Sequence, residues 1–335
     1  MNSEYIEENG VFFRKSSKAD LQRIDSIVLD IDGVVMDVSF SFRVAISRTT
    51  QFYFTRILNW TGKAILVSPA ETQFFKLAGG FNNDWELTYI AILFFLAKRE
   101  QFNNQNLDFL KNRGKSVKDF TKEVAVQGGG LQGAERLLFS TRKPEQVEKI
   151  KENWDKNKIK QIFQEIYGGI DYCKKLYGFK PEFVKQRGLI NQEKDLLGTE
   201  DLRSFYPKIG ILTGRTKEEA RVALDFASIS SMVAEKAVIV DDGGLTKPDP
   251  RILLNLGEIL NTGTGIYIGD TIDDFKTVAN FRAMEAKEVG KIKFLTGIVI
   301  RRESEKEMFF DLGADVVAEE PKQILHVLSR LRKGG

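Results

Sequence analysis

Four apolar runs rich in β-branched residues recur along the chain with no alternation of polar positions: Ser26-Ile27-Val28-Leu29, Lys208-Ile209-Gly210-Ile211-Leu212, Ala237-Val238-Ile239-Val240 and Gly265-Ile266-Tyr267-Ile268. Unbroken runs of this kind predict strands buried on both faces, as in a parallel sheet. From Gly33 to about residue 203 strand character disappears. Apolar residues there take helical spacing over 41–58, 84–99 and 144–167, and the polar stretch 103–118 suits a loop or a short helix. After Thr213 strand and helix alternate, with helices expected at 217–229, 250–260 and 274–283, short strands at 296–300 and 314–317, and a closing helix at 321–331. This order predicts an α/β protein with a doubly wound, Rossmann-like parallel sheet. Residues 20–38 and 203–335 are expected to form its core, 39–202 a large, mainly helical cap inserted between the first and second strands, and 1–19 an N-terminal extension.

Within the cap, the stretch from Tyr89 to Ala97 is the longest apolar run of the chain. It is too short to span a bilayer and suits a buried helix, so no membrane association is implied. Gly128-Gly129-Gly130 with Gly133 is expected to be a flexible turn, because no Gly-Lys-Ser/Thr follows to make a phosphate-cradling loop. Gly168, Gly169 and Gly188 look like helix ends.

Composition narrows the chemistry. The 335 residues are enough for two domains, and 42% hydrophobic content fits an ordinary globular chain. Lys and Arg total 50 against 47 Asp and Glu, a net charge of +3 with no dense basic run, so no nucleic-acid partner is implied. Cys173 is the only cysteine, which excludes an intrachain disulfide and suits a reducing cytoplasm; packing against helix neighbours is the expected role. His326 is the only histidine and lies in the C-terminal helical pattern. Carboxylates must therefore carry any acid–base or metal chemistry. The acidic start, Met1 to Glu8, lacks the basic and apolar segments of a signal peptide.

The strand runs lead into Asp30-Ile31-Asp32-Gly33, Thr213-Gly214-Arg215, Lys247-Pro248 and Gly269-Asp270-Thr271-Ile272-Asp273-Asp274. Ligands of open α/β sheets bind beyond the carboxyl ends of the strands, so these distant residues are expected to meet at one point. Their types suit a magnesium-dependent phosphoryl-transfer site. The set resembles the haloacid dehalogenase superfamily over about half the chain, with Asp30 and Asp32 as the first motif, Thr213 the second, Lys247 the third, and Asp270 with Asp274 the fourth. It is similar to the branch with a helical cap after the first strand, which includes phosphoglycolate phosphatase and β-phosphoglucomutase.

The resemblance implies Asp30 as a nucleophile that forms an aspartyl phosphate, and Asp32 as the acid and base that protonates the leaving alcohol and then activates water. It implies Mg²⁺ held by Asp30, the backbone carbonyl of Asp32 and Asp270, with Asp274 as outer or water-mediated support. Thr213 and the Gly214 amide would bind phosphoryl oxygens, and Lys247 would stabilise the transferring group; a lone lysine before Pro248-Asp249-Pro250 would otherwise be a surface residue. Gly33 belongs to the turn that admits the cap, where Asp37 is structural. Arg215 is either a phosphate contact or a salt bridge at the next helix, and Asp273 is either solvent-facing or a helix cap. The implied activity is a phosphatase acting on a small phosphorylated metabolite; a phosphomutase with the same site, or a non-catalytic phosphometabolite-binding protein, are the alternatives. An acid at Asp32 favours phosphate esters over dehalogenation. For the leaving group, the stretch from Phe75 to Trp85 offers Lys76, Asn82, Asn83 and Asp84 as contacts, or else a helix boundary with Asp84 as its cap and Trp85 as packing.

Overall fold

The structure, a computed structural model, describes residues 4–80, 84–241 and 244–333. The chain divides into two compact units, one of Met1–Asp37 with Lys194–Gly335 and one of Val38–Glu193.

Among the described residues, the first unit is built on ten strands: β1 Tyr5–Glu8, β2 Val11–Arg14, β3 Ser26–Leu29, β4 Met36–Asp37, β5 Lys194–Asp195, β6 Ile209–Leu212, β7 Val238–Ile239, β8 Thr264–Gly269, β9 Lys293–Val299 and β10 Val316–Ala318. Eight form one sheet in the order β1-β2-β10-β9-β8-β3-β6-β7, and β4 pairs with β5 in a small ribbon. The strands from β7 across to β10 run parallel, and β1 and β2 add an antiparallel edge. In the middle, Ile27 lies opposite Ile209 and Ile266, and Val28 opposite Gly210 and Tyr267. All four residues of β3 and of β6 are buried, as their unbroken apolar runs predict. Each such aliphatic side chain contributes roughly 2 kcal/mol by leaving water.

Residues 1–19 do more than extend from this core. The β1–β2 hairpin pairs through Phe13 and Val316 with β10, the Tyr5 hydroxyl donates to the Ala314 carbonyl at 2.6 Å, and its ring stacks on Phe310 at 4.1 Å. Residues 194–202, expected within the cap, belong to the first unit: Asp195 pairs with Met36, and the Leu196 amide donates to Val35 at 2.8 Å.

The second unit is helical and has its own core. The helix Asp84–Phe102 is buried without a break from Leu87 to Lys98, so it is apolar on every face and is surrounded by the helices Phe42–Phe52, Gly130–Phe139, Pro144–Glu152 and Lys156–Tyr177. The stretch 144–167 is two helices rather than one, separated at Asn153–Asp155, where the Trp154 indole donates to the Tyr89 carbonyl at 2.8 Å. Phe42 stacks on Tyr167 and Phe94 on Phe120, with ring centres 4.1 and 4.3 Å apart. Gly128–Gly130 is pinned rather than loose, since the Gly130 amide donates to the Gly79 carbonyl at 2.9 Å. Cys173 is buried, and burial pushes its thiol up to about 12, as befits a packing residue. Among the described residues, no helix is long and apolar enough to cross a membrane.

The helix Lys156–Tyr177 is broken in its interior at Gly169, whose φ of 59° is outside the helical region. The break lets residues 186–188 approach: a Cβ on Gly188 would lie 2.4 Å from the Gly168 carbonyl oxygen. Gly188→Ala is therefore expected to cost about 2 kcal/mol through overpacking and to lower the thermal midpoint in a circular-dichroism melt, whereas an unchanged midpoint would show that the crossing can relax.

Candidate active site

Each functional side chain is placed by the end of a strand. Asp30 follows β3 and is still in the ladder, its amide donating to Ile268 of β8 at 2.9 Å. The chain then turns tightly, with the amides of Val35 and Met36 both donating to the Ile31 carbonyl at 2.9 and 2.8 Å. Gly33 makes the turn possible: its φ is +81°, and a Cβ there would lie 2.3 Å from an Asp270 carboxylate oxygen. Thr213 follows β6, its amide donating to Ile239 at 3.0 Å, and Asp270 follows β8.

Asp274 sits in the first turn of the helix Ile272–Arg282, capped by Thr271. One of its oxygens accepts from the Asp270 amide (3.1 Å), the Thr271 amide (2.9 Å) and the Thr271 hydroxyl (2.7 Å). The other accepts from Lys247 Nζ at 2.8 Å and the Tyr267 hydroxyl at 2.5 Å. Lys247 also reaches Asp30 at 3.1 Å, so one ammonium bridges two carboxylates. On the other side of Asp30, Arg215 is buried and ion-paired with Asp32, with Nε at 2.8 Å and Nη2 at 2.7 Å. Arg215 thus pairs with a motif residue, Asp32.

Carboxylate oxygens of Asp30, Asp270 and Asp274 lie within 4.8 Å of one another, and all three residues are buried. With Asp32 the group carries four acids against Lys247 and Arg215, an imbalance that burial makes expensive. Burial pushes Asp30 up from 3.8 to about 8; the Lys247 ammonium opposes this, and Asp274, Asp32 and Asp270 add to it. Burial also disfavours the Asp274 carboxylate, but Lys247 and the hydrogen bonds it receives outweigh that and hold it below the usual range. Lys247 is held well above its ordinary value, because the charges of Asp274 and Asp30 override its burial. Anionic oxygens in excess, at this spacing, fit a hard divalent cation. Asp274 accepts five donors against two on Asp30, so Asp30 is the better direct ligand of the two.

Residues 24–282 match the family described as haloacid dehalogenase-like hydrolase. The chain belongs to that family. Its fold is also similar to a phosphatase from Thermococcus thioreducens, with a TM-score of 0.55 and 22% identity over 92% of this chain and 99% of the other. A structural-genomics target matches with the same TM-score of 0.55 and 14% identity, over 93% of this chain and all of that one. A curated relative, imidazoleglycerol-phosphate dehydratase of Phytophthora nicotianae, is 33% identical over 70 residues, 21% of this chain; the chain spans only 13% of that relative's length.

In this hydrolase the motif residues Asp30, Asp32, Gly33, Thr213, Gly214, Arg215, Lys247, Asp270 and Asp274 all lie in the first unit; Asp30, Thr213 and Asp270 directly follow strands, Asp274 lies in the helix after β8, and Lys247 lies between β7 and the helix Arg251–Ile259. Lys76, in the helix Thr72–Ala78, and Asp84, in the helix Asp84–Phe102, belong to the second unit; Asn82 and Asn83 fall outside the described residues. Trp85 takes the packing role, edge-on to Phe163. Asp273 is corrected: it is buried in the first helical turn, neither solvent-facing nor the cap, because Thr271 caps that helix. Sequence reasoning missed three contributors. Thr271 was legible as a capping pattern with Asp274 three residues on. Tyr267 is a hydroxyl in an otherwise aliphatic strand, which burial obliges to find a partner. Arg301, which donates to the Gly33 carbonyl at 3.1 Å, carries no local signal.

The Asp30 shift has a testable consequence. Between about pH 4 and 8 the folded chain retains a proton that the unfolded chain has lost, so its contribution to stability is full below that window and is lost as pH rises through it. Without divalent cations the thermal midpoint is expected to fall from pH 5 to pH 8, and adding a divalent cation should raise it more at pH 8 than at pH 5. Equal cation-induced shifts at the two pH values would argue against a buried, titrating Asp30.

Proposed function

We propose that the chain is a Mg²⁺-dependent phosphatase that hydrolyses a small phosphorylated metabolite through a phosphoaspartate on Asp30, in a reducing cytoplasm. The bridging of Asp30 and Asp274 by Lys247, at 3.1 and 2.8 Å, carries this reading. It holds a carboxylate at a strand end with one oxygen on a cation and the other on the Ile31 amide at 2.7 Å, so the side chain is fixed for attack without reorganisation.

Spontaneous hydrolysis of phosphate monoesters is so slow that catalysts supply up to ~10²¹-fold acceleration. Splitting the reaction eases it. Asp30 attacks phosphorus and the ester oxygen leaves, taking a proton from Asp32; Asp32 then removes a proton from water as that water attacks the phosphoaspartate, releasing phosphate and restoring Asp30. Asp30, Asp270 and the backbone carbonyl of Asp32 would hold Mg²⁺, with Asp274 behind them, and the bound ion would offset repulsion between carboxylate and phosphate. The Thr213 hydroxyl and Gly214 amide donate to phosphoryl oxygens. Lys247 adds its charge to the transferring group, and Arg215 orients Asp32. Gly33 lets the loop after β3 close on Asp270.

Asp30→Asn is expected to lower turnover of an aryl phosphate on the order of 10³-fold or more with an unchanged circular-dichroism spectrum, and chelation should abolish activity until Mg²⁺ is restored. Retained activity in the variant would refute the nucleophile. A panel of phosphoglycolate, sugar phosphates, nucleotides and amino-alcohol phosphates, assayed for inorganic phosphate and for isomerised product, separates a phosphatase from a mutase and from a protein that only binds.

A further inference from the structure

The second unit carries an open cleft of about 440 Å³ lined by its own elements alone. One wall is the helix Phe42–Phe52 and the π-helical turn Tyr53–Ile57 that continues it, which present Arg48, Gln51 and Arg56. Inserted π turns recur at functional positions because they re-aim side chains without ending the helix. The opposite wall is the segment 183–187 with Lys185. That segment is not a loose loop. Glu165, fully buried, accepts the amides of Glu182, Phe183 and Val184 at 2.9, 2.7 and 2.8 Å, and the Ile170 amide donates to Gln186 at 2.9 Å.

The charges on the two walls are unbalanced. Arg48, Arg56 and Lys185 make no ion pair or hydrogen bond with a described residue, while Arg187 at the same cavity is drawn to Asp171 at 3.6 Å. Glu165 is the one acid on the lining, and its oxygens are spent on backbone amides and Gln161. The volume is in the range of small-molecule sites, and the Phe183 side chain supplies an apolar wall.

We infer that this cleft binds a small phosphate monoester through its phosphate, held by Arg48, Arg56 and Lys185. Guanidinium groups match phosphate oxygens in geometry as well as charge. Binding there requires neither a metal nor turnover, so it stands or falls separately from the chemistry at Asp30.

The test is isothermal titration calorimetry of the whole chain, in buffer stripped of divalent cations, with glycerol 3-phosphate and with inorganic phosphate. Glycerol 3-phosphate is expected to bind with a sub-millimolar dissociation constant. The double variant R48A/R56A, at exposed positions and checked by circular dichroism, should weaken it by about tenfold or more. Lys185→Ala should weaken glycerol 3-phosphate and inorganic phosphate alike, and Thr213→Ala, in the first unit, should bind as the parent does. Absence of metal-free binding, full binding by R48A/R56A, or its loss in Thr213→Ala would each overturn the assignment.

Discussion

Three buried carboxylates whose oxygens lie within 4.8 Å are the constraint on which the first unit turns. Like charges at about 4 Å repel by about 4 kcal/mol each at the effective dielectric of a protein, so the arrangement persists only because something offsets it. Lys247 offsets part, by touching Asp30 and Asp274 together. The start of the helix Ile272–Arg282 offsets more, since Asp274 sits among free amides at the positive end of the helix. What is left over falls on Asp30, whose carboxyl is pushed up mainly by burial. A site in this state has a standing affinity for added positive charge.

The sheet holds these groups against their repulsion. β3 lies between β6 and β8, paired on both sides, so Asp30 and Asp270 leave neighbouring strands in fixed register. The turn at Gly33 is braced twice, by its close approach to Asp270 and by Arg301 from the end of β9. Arg215, buried to 2% exposure, fixes Asp32 with two contacts and is held in turn near Thr213, whose hydroxyl accepts its amide. Motif residues therefore position one another, and removing one disturbs several.

The second unit solves a different problem. Its central helix, buried on all sides, needs a full ring of neighbours, and aromatic contacts such as Phe42 on Tyr167 and Phe94 on Phe120 supply the packing. Where helices cannot pack evenly, glycine lets backbone cross backbone, as Gly188 crosses Gly168, and the buried carboxylate of Glu165 ties the returning segment down.

The local sequence alone determined the elements whose burial is uniform. Short unbroken runs rich in β-branched residues, such as Ile27-Val28-Leu29, suit central strands, and the order of strand, long helical insertion and alternating strands and helices leaves an α/β sheet as the economical solution. The motif residues were legible for the same reason: each ends such a run, and the carboxyl ends of parallel strands converge. What the tertiary structure decided were the partners. That Arg215 would turn to Asp32, that Tyr267 would face Asp274, that Arg301 would brace Gly33 and that residues 1–19 would join the sheet through β2 all depend on where distant segments return in space. Strand and helix character is written in neighbouring residues by spacing and side-chain shape. The partner of a buried polar group is chosen by long-range packing, which no local pattern encodes.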